Sequence, residues 1–176
     1  MQTIELFFNP EEIIEAVMLR LEYIAGKRSD SEESYYRLSA DKPDSRMLNL
    51  LFRRSVKRMG ASLGMSALSM LMEEDADSPG SPATGCRLTV GIEKTDISAG
   101  VAEDIGQMVI EDMILAEWLS LISESEGEPV RLRWQESLKL LVAMLESGNP
   151  DVGGTSADGY EQSRGVRASS RRYPPL

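Results

Sequence analysis

Four groups of residues in this chain have types and spacings that invite a chemical reading. Gly60-Ala61-Ser62-Leu63-Gly64 has the outline of a nucleophile elbow. It lies inside a helical pattern, follows no strand and has no histidine to activate the serine, so the resemblance to that motif is superficial. The carboxylate pairs Glu11/Glu15 and Glu111/Asp112 have no spacing specific to acid–base work. Glu73-Glu74-Asp75 with Asp77 suggests a cation loop, but residues 73 to 85 do not supply the alternate ligands, central glycine and closing glutamate of an EF-hand. The fourth group, Arg53, Arg54, Lys57 and Arg58, is the basic cluster of the body.

The chain contains no histidine at all. This removes the Ser/His/Asp and Cys/His triads, the usual imidazole base and most zinc and haem sites. The single cysteine, Cys86, excludes an intramolecular disulfide framework and a multi-thiolate zinc site. What chemistry remains would use carboxylates, lysine or an oxygen-ligated Mg or Ca, and none of these has its expected pattern. Neither a P-loop nor a G-x-G-x-x-G sequence occurs. The expectation is a protein that is not an enzyme, with no catalytic residues, no cofactor and no metal.

Binding is the remaining class of function. Arg53, Arg54, Lys57 and Arg58 spread over the exposed side of a helix, where they could face a phosphate or an acidic neighbour, or simply be solvated. A second basic group lies near the C-terminus, where Asp151, Asp158 and Glu161 give way to Arg164, Arg167, Arg171 and Arg172. Tyr160, Tyr173 and Pro174-Pro175-Leu176 add aromatic and polyproline-like anchors suited to a groove on another surface. Lys and Arg total 19 against 29 Asp and Glu, a net charge of −10, so the body should repel nucleic acid.

These groups need elements to hold them. The chain is 41% hydrophobic and 176 residues long, enough for one core with appendages. Residues 3 to 8 are β-prone. Asn9-Pro10-Glu11-Glu12 then places an N-cap, a first-position proline and a glutamate at N3, and Ile13, Ile14, Val17, Met18, Leu21 and Ile24 mark a helix that Gly26 should stop. A polar loop from Lys27 to Asp44 carries Tyr35 and Tyr36.

A second helix opens at Asp44 or Ser45 and extends, by its apolar spacing, to about Met72. Gly60 and Gly64 would give it a flat side for another helix. Glu73 to Gly85 has the composition of a long connection, and Arg87 to Glu93 alternates like a short strand that could pair with residues 3 to 8. A third helix spans about Ser98 to Ser123, with Val101, Ile105, Met108, Val109, Met113, Ala116 and Leu119 on its core side. Gly127-Glu128-Pro129 breaks the chain, and Val130, Trp134, Leu138, Leu141, Val142 and Leu145 mark a fourth helix ending before Gly148. The fold class is thus mostly α. Residues 1–148 form a four-helix body with a short β strand or hairpin, and 149–176 form an extended, intrinsically flexible arm that orders on a partner. No stretch reaches the roughly 18 apolar residues of a membrane span, and the N-terminus lacks the features of a signal peptide.

The order of elements carries a family resemblance. An opening helix ends in Tyr23-Ile24-Ala25-Gly26-Lys27, a polar loop bears Tyr35-Tyr36, and a long helix starts at Asp44-Ser45-Arg46. An acidic loop, the strand from Arg87 to Glu93, a helix ending Glu117-Trp118-Leu119 and a last helix with Trp134 follow. Over residues 9 to 147 this resembles small proteins of Bacteroidales phages and prophages that belong to the neck or tail of the virion. It is also similar to the head-to-tail adaptor proteins of long-tailed phages, which form rings between portal and tail. The resemblance implies a homo-oligomeric ring in the virion, assembled in the host cytoplasm and docked on portal or tail components, while the acidic charge and the lack of a long apolar run lead to the expectation of no specific nucleic acid and no membrane partner. The alternative from composition is an acidic helical binding module that inhibits or regulates a host or phage protein.

Overall fold

Asn9 opens the first helix as its sequence suggests. Its Oδ1 accepts from the Glu11 backbone N–H at 3.0 Å, its Nδ2 donates to Glu12 Oε1 at 3.0 Å, and its carbonyl accepts from the Ile13 N–H at 3.1 Å. Pro10 takes the position where a missing N–H breaks no helical bond. The computed structural model describes residues 2–28, 39–40, 45–64, 67–74, 83–92 and 97–147. Within them lie strand β1 (Gln2–Phe8), helix α1 (Pro10–Arg28), helix α2 (Ser45–Ser62), strand β2 (Ala67–Glu74), strand β3 (Ala83–Ile92), helix α3 (Ala99–Ile122) and helix α4 (Glu124–Ser147). The protein is mostly helical, with four helices and a small three-stranded sheet among the described residues. Tyr35, Tyr36, residues 75–82 and the arm 149–176 lie outside the described residues.

The expected pairing of the first strand with the strand near residue 90 is present. β1 and β3 are antiparallel, with Ile4 opposite Val90, Leu6 opposite Leu88 and Phe8 opposite Cys86. Strand alternation sends Leu6, Phe8, Cys86, Leu88, Val90 and Ile92 into the core. The helices cover that face. Ile13, Val17 and Leu21 of α1 and Leu48, Phe52, Val56 and Met59 of α2 are fully buried in the same cluster, each apolar side chain contributing roughly 1.5–3 kcal/mol of burial. α3 lies at the centre, and its middle is buried nearly all round, from Val109 to Trp118.

Six expectations are corrected. α1 continues through Gly26 to Arg28, because Gly26 does not adopt the left-handed conformation of a helix stop and Lys27 packs over the Tyr23 ring at 4.5 Å. α2 ends at Ser62 rather than near Met72. Gly64, at φ +59°, turns the chain, and the apolar run after it becomes β2, with Met70 opposite Leu88 and Met72 opposite Cys86. Gly60 therefore faces Leu88 and Met70 of the sheet, each 3.9 Å from where its Cβ would be, and no helix. The connection expected from Glu73 to Gly85 is correspondingly shorter, since β2 and β3 form its two sides in the order β1-β3-β2.

The chain breaks at Ser123, not at Gly127-Glu128-Pro129. Ser123 is extended at φ −156° and ψ 129°, and α4 runs through Gly127 and Pro129 without interruption. Pro129 lies near the open first turn, where the carbonyl it leaves unbonded can turn to water. Gly127 is needed because α4 approaches α3 closely. A Cβ there would lie 2.0 Å from Ser120 Oγ and 2.6 Å from the Ala116 carbonyl oxygen. Finally, Val101 and Met108, expected on the core side of α3, are about half exposed, since this end of α3 is covered on one side only.

Candidate protein-docking site

The basic cluster of α2 divides by helical geometry. Met47, Leu51, Arg54 and Arg58 recur at spacings of four, three and four, so they share one stripe, while Leu48, Phe52, Val56 and Met59 form the neighbouring buried stripe. The first stripe borders a groove of about 450 Å³ between α2, α3 and α4. α3 contributes Glu117, Ser120 and Leu121, and α4 contributes Arg131 and Trp134. Lys57 points elsewhere, to a smaller hollow of about 250 Å³ beside Gly60, Met70 and Leu88. Arg53 is half-buried and already engaged. The structure thus brings Arg54 and Arg58 together and separates them from Lys57 and Arg53. Tyr160, Arg164, Arg167, Arg171, Arg172 and Tyr173 lie outside the described residues.

Three arginines meet at the groove in different states. The Arg58 guanidinium lies 5.2 Å over the Trp134 ring and 3.6 Å from Glu117 Oε1, which fixes it from two sides. Arg131 donates to Glu128 Oε2 at 2.9 Å and to Ser120 Oγ at 3.4 Å, while Ser120 Oγ donates to the Ala116 carbonyl at 2.7 Å. Arg54 is exposed and has no ion pair among the described residues. Apolar side chains stand beside these charges. Met47 is 44% and Leu121 67% exposed, and Leu51 and Trp134 are buried. Such a surface can bind, because it offers directed N–H donors next to apolar area.

A second cleft, of about 460 Å³, lies between α1 and α4 and is lined by Leu19, Tyr23, Ile24 and Val130. Arg20 and Arg133 flank it, and both reach a carboxylate that the sequence reading passed over as an unspecific pair. Asp112 is buried, yet Arg133 grips it with Nε on Oδ2 at 2.5 Å and Nη2 on Oδ1 at 2.8 Å, and Arg20 Nη2 reaches Oδ1 at 2.5 Å. Arg20 also lies 3.4 Å from Glu111, which accepts from Gln107 Nε2 at 3.0 Å. The hydrogen bond to Asp112 holds the Arg133 guanidinium above its ordinary pKa. The role of this cluster is to tie α1 and α4 to α3. Its signal was present in the sequence: Val109, Asp112 and Ala116 occupy one core stripe, and a charge at a core register needs a partner.

The outer face of the sheet carries a smaller arrangement. Arg87 on the central strand donates to Glu73 on β2 at 3.2 Å and to Glu5 on β1 at 3.3 Å, and these bonds raise its pKa. On the inner face the Cys86 thiol is pushed up to about 11 by burial, with the Glu73 carboxylate adding to it, so it is a poor nucleophile at neutral pH. Among the described residues no group of three or more Cys, Asp or Glu is placed to hold a metal ion, and no helix is long and apolar enough to cross a membrane. No family model, curated protein or solved structure matches the chain.

Proposed function

We propose that the protein is a non-enzymatic structural subunit, a head-to-tail adaptor or neck or tail ring component of a phage virion, which joins copies of itself and portal or tail proteins. The observation that carries this reading is the groove between α2, α3 and α4, where Arg54, Arg58 and Arg131 adjoin exposed Met47 and Leu121 on a helical face. The buried Asp112 supports it from the other side. Asp112 is saturated by arginines that brace one helix against the next, an arrangement suited to a stiff building block. In this reading the C-terminal arm, with Arg164, Arg167, Arg171, Arg172 and Tyr173, docks on a neighbouring component, and the acidic body keeps passing DNA from adhering.

Light scattering of the full chain beside a chain ending at Gly148 tests the proposal. The full chain is expected to form a large closed oligomer or to dock on a portal, and the shortened chain to do neither. Two indifferent monomers would overturn self-assembly and favour an acidic binding module that regulates a host or phage protein.

A further inference from the structure

We infer that the groove between α2, α3 and α4 is a docking site for an acidic segment of another protein, one in which carboxylates flank an aliphatic or aromatic side chain. The inference deepens the assembly reading and rests on it for the claim that a partner exists. Charge is the first argument. In a chain with 29 acidic and 19 basic residues, this groove collects Arg54, Arg58 and Arg131 against Glu117 in its lining and Glu128 behind Arg131, which leaves a local excess of positive charge centred on Arg54. A ligand drawn to it is anionic, and the net charge of −10 turns away a long polyphosphate while a short peptide feels mainly the local arginines.

Preorganisation is the second argument. Trp134 and Glu117 hold Arg58, and Glu128 and Ser120 hold Arg131, so their remaining N–H donors are aimed before any partner arrives. Arg54 stands one turn along α2 from Arg58 with its fork uncommitted among the described residues, and planar bidentate recognition of a carboxylate is what a free guanidinium does best. Shape and polarity complete the case. Met47 and Leu121 stand exposed on α2 and α3, Leu51 and Trp134 are buried between them, and about 450 Å³ accommodates one or two anchoring side chains.

The test uses the full chain and a fluorescein-labelled ten-residue peptide in which glutamates flank Leu and Trp, read by anisotropy at low salt. The glutamate peptide is expected to bind at least tenfold tighter than its glutamine counterpart. Arg54→Glu should weaken it about tenfold and Leu121→Asp several-fold, each with an unchanged melting curve. Lys57→Glu makes the same charge change on the same helix but away from the groove, and should alter affinity less than twofold. Equal loss from Lys57→Glu and Arg54→Glu would mean that only overall charge attracts the peptide, and would overturn the groove. Equal binding of the glutamine peptide would overturn the carboxylate. A labelled peptide of residues 30–36, Asp-Ser-Glu-Glu-Ser-Tyr-Tyr, binding more tightly than the glutamate peptide would assign the groove to this chain's own segment and overturn the claim of another protein. Light scattering of Arg54→Glu separates the two readings. Peptide binding by a chain that never assembles sinks the assembly reading alone, and assembly without any peptide binding sinks the groove alone.

Discussion

Asp112 occupies a core position of α3 and depends on its two arginines. Removing one member of a buried ion pair commonly costs about 3–5 kcal/mol, because the survivors stay buried without a partner. Here the survivors would be Arg20 and Arg133, whose side chains are 33% and 52% exposed and can rehydrate. Asp112→Ala should therefore cost about 2 kcal/mol, and Arg133→Gln less, since Arg20 still answers the carboxylate; urea unfolding midpoints would check both values. Cys86 makes a pH prediction. Its thiol is raised from 9.0 to about 11 in the folded chain, so between those values the native state holds more protons than the unfolded state, and stability falls as pH rises. Cys86→Ala should flatten this part of the alkaline decline relative to its own stability at pH 7. Parallel curves for the two proteins would remove the thiol from the account.

Glycines mark where elements turn. Gly64 adopts φ +59°, a conformation that a Cβ disfavours, whereas Gly26 lies in α1 with nothing within 4 Å of its would-be Cβ. Gly64→Ala should destabilise by about 1 kcal/mol and Gly26→Ala should stabilise by about 0.5 to 1 kcal/mol, opposite signs for one chemical change, readable as shifts in thermal midpoint. These positions also show what was legible in the sequence. Asn9-Pro10 announced α1 because capping is local. Leu63, Ala67 and Met70 fit a helical period as well as a strand, and only pairing with Leu88 and Cys86, far along the chain, decides for β2. The same holds for Gly127 and Pro129, where contact with Ser120 and Ala116 outweighs local helix-breaking chemistry.

At the scale of the whole molecule, the helix content, the joining of the first strand to the strand near residue 90 and the basic stripe of α2 follow from periodicity and composition. The grooves do not, since they need the mutual placement of α2, α3 and α4, which no single segment encodes. Arg53, Arg54, Lys57 and Arg58 were visible only as one cluster, which the fold divides, and Arg131 and Trp134, which complete the surface of Arg54 and Arg58, carried no mark of that role. The sheet has a further consequence for how the chain comes to be. β1 and its partner β3 are far apart in the chain, with α1, α2 and β2 between them. α3 and α4, joined through Ser123 alone, and the neighbours β2 and β3 can form early from nearby residues. The N-terminal strand must wait for a loop of more than seventy residues to close, a step whose entropy is met only when Leu6 and Phe8 reach the core. β1 is in this way among the last elements to find its place.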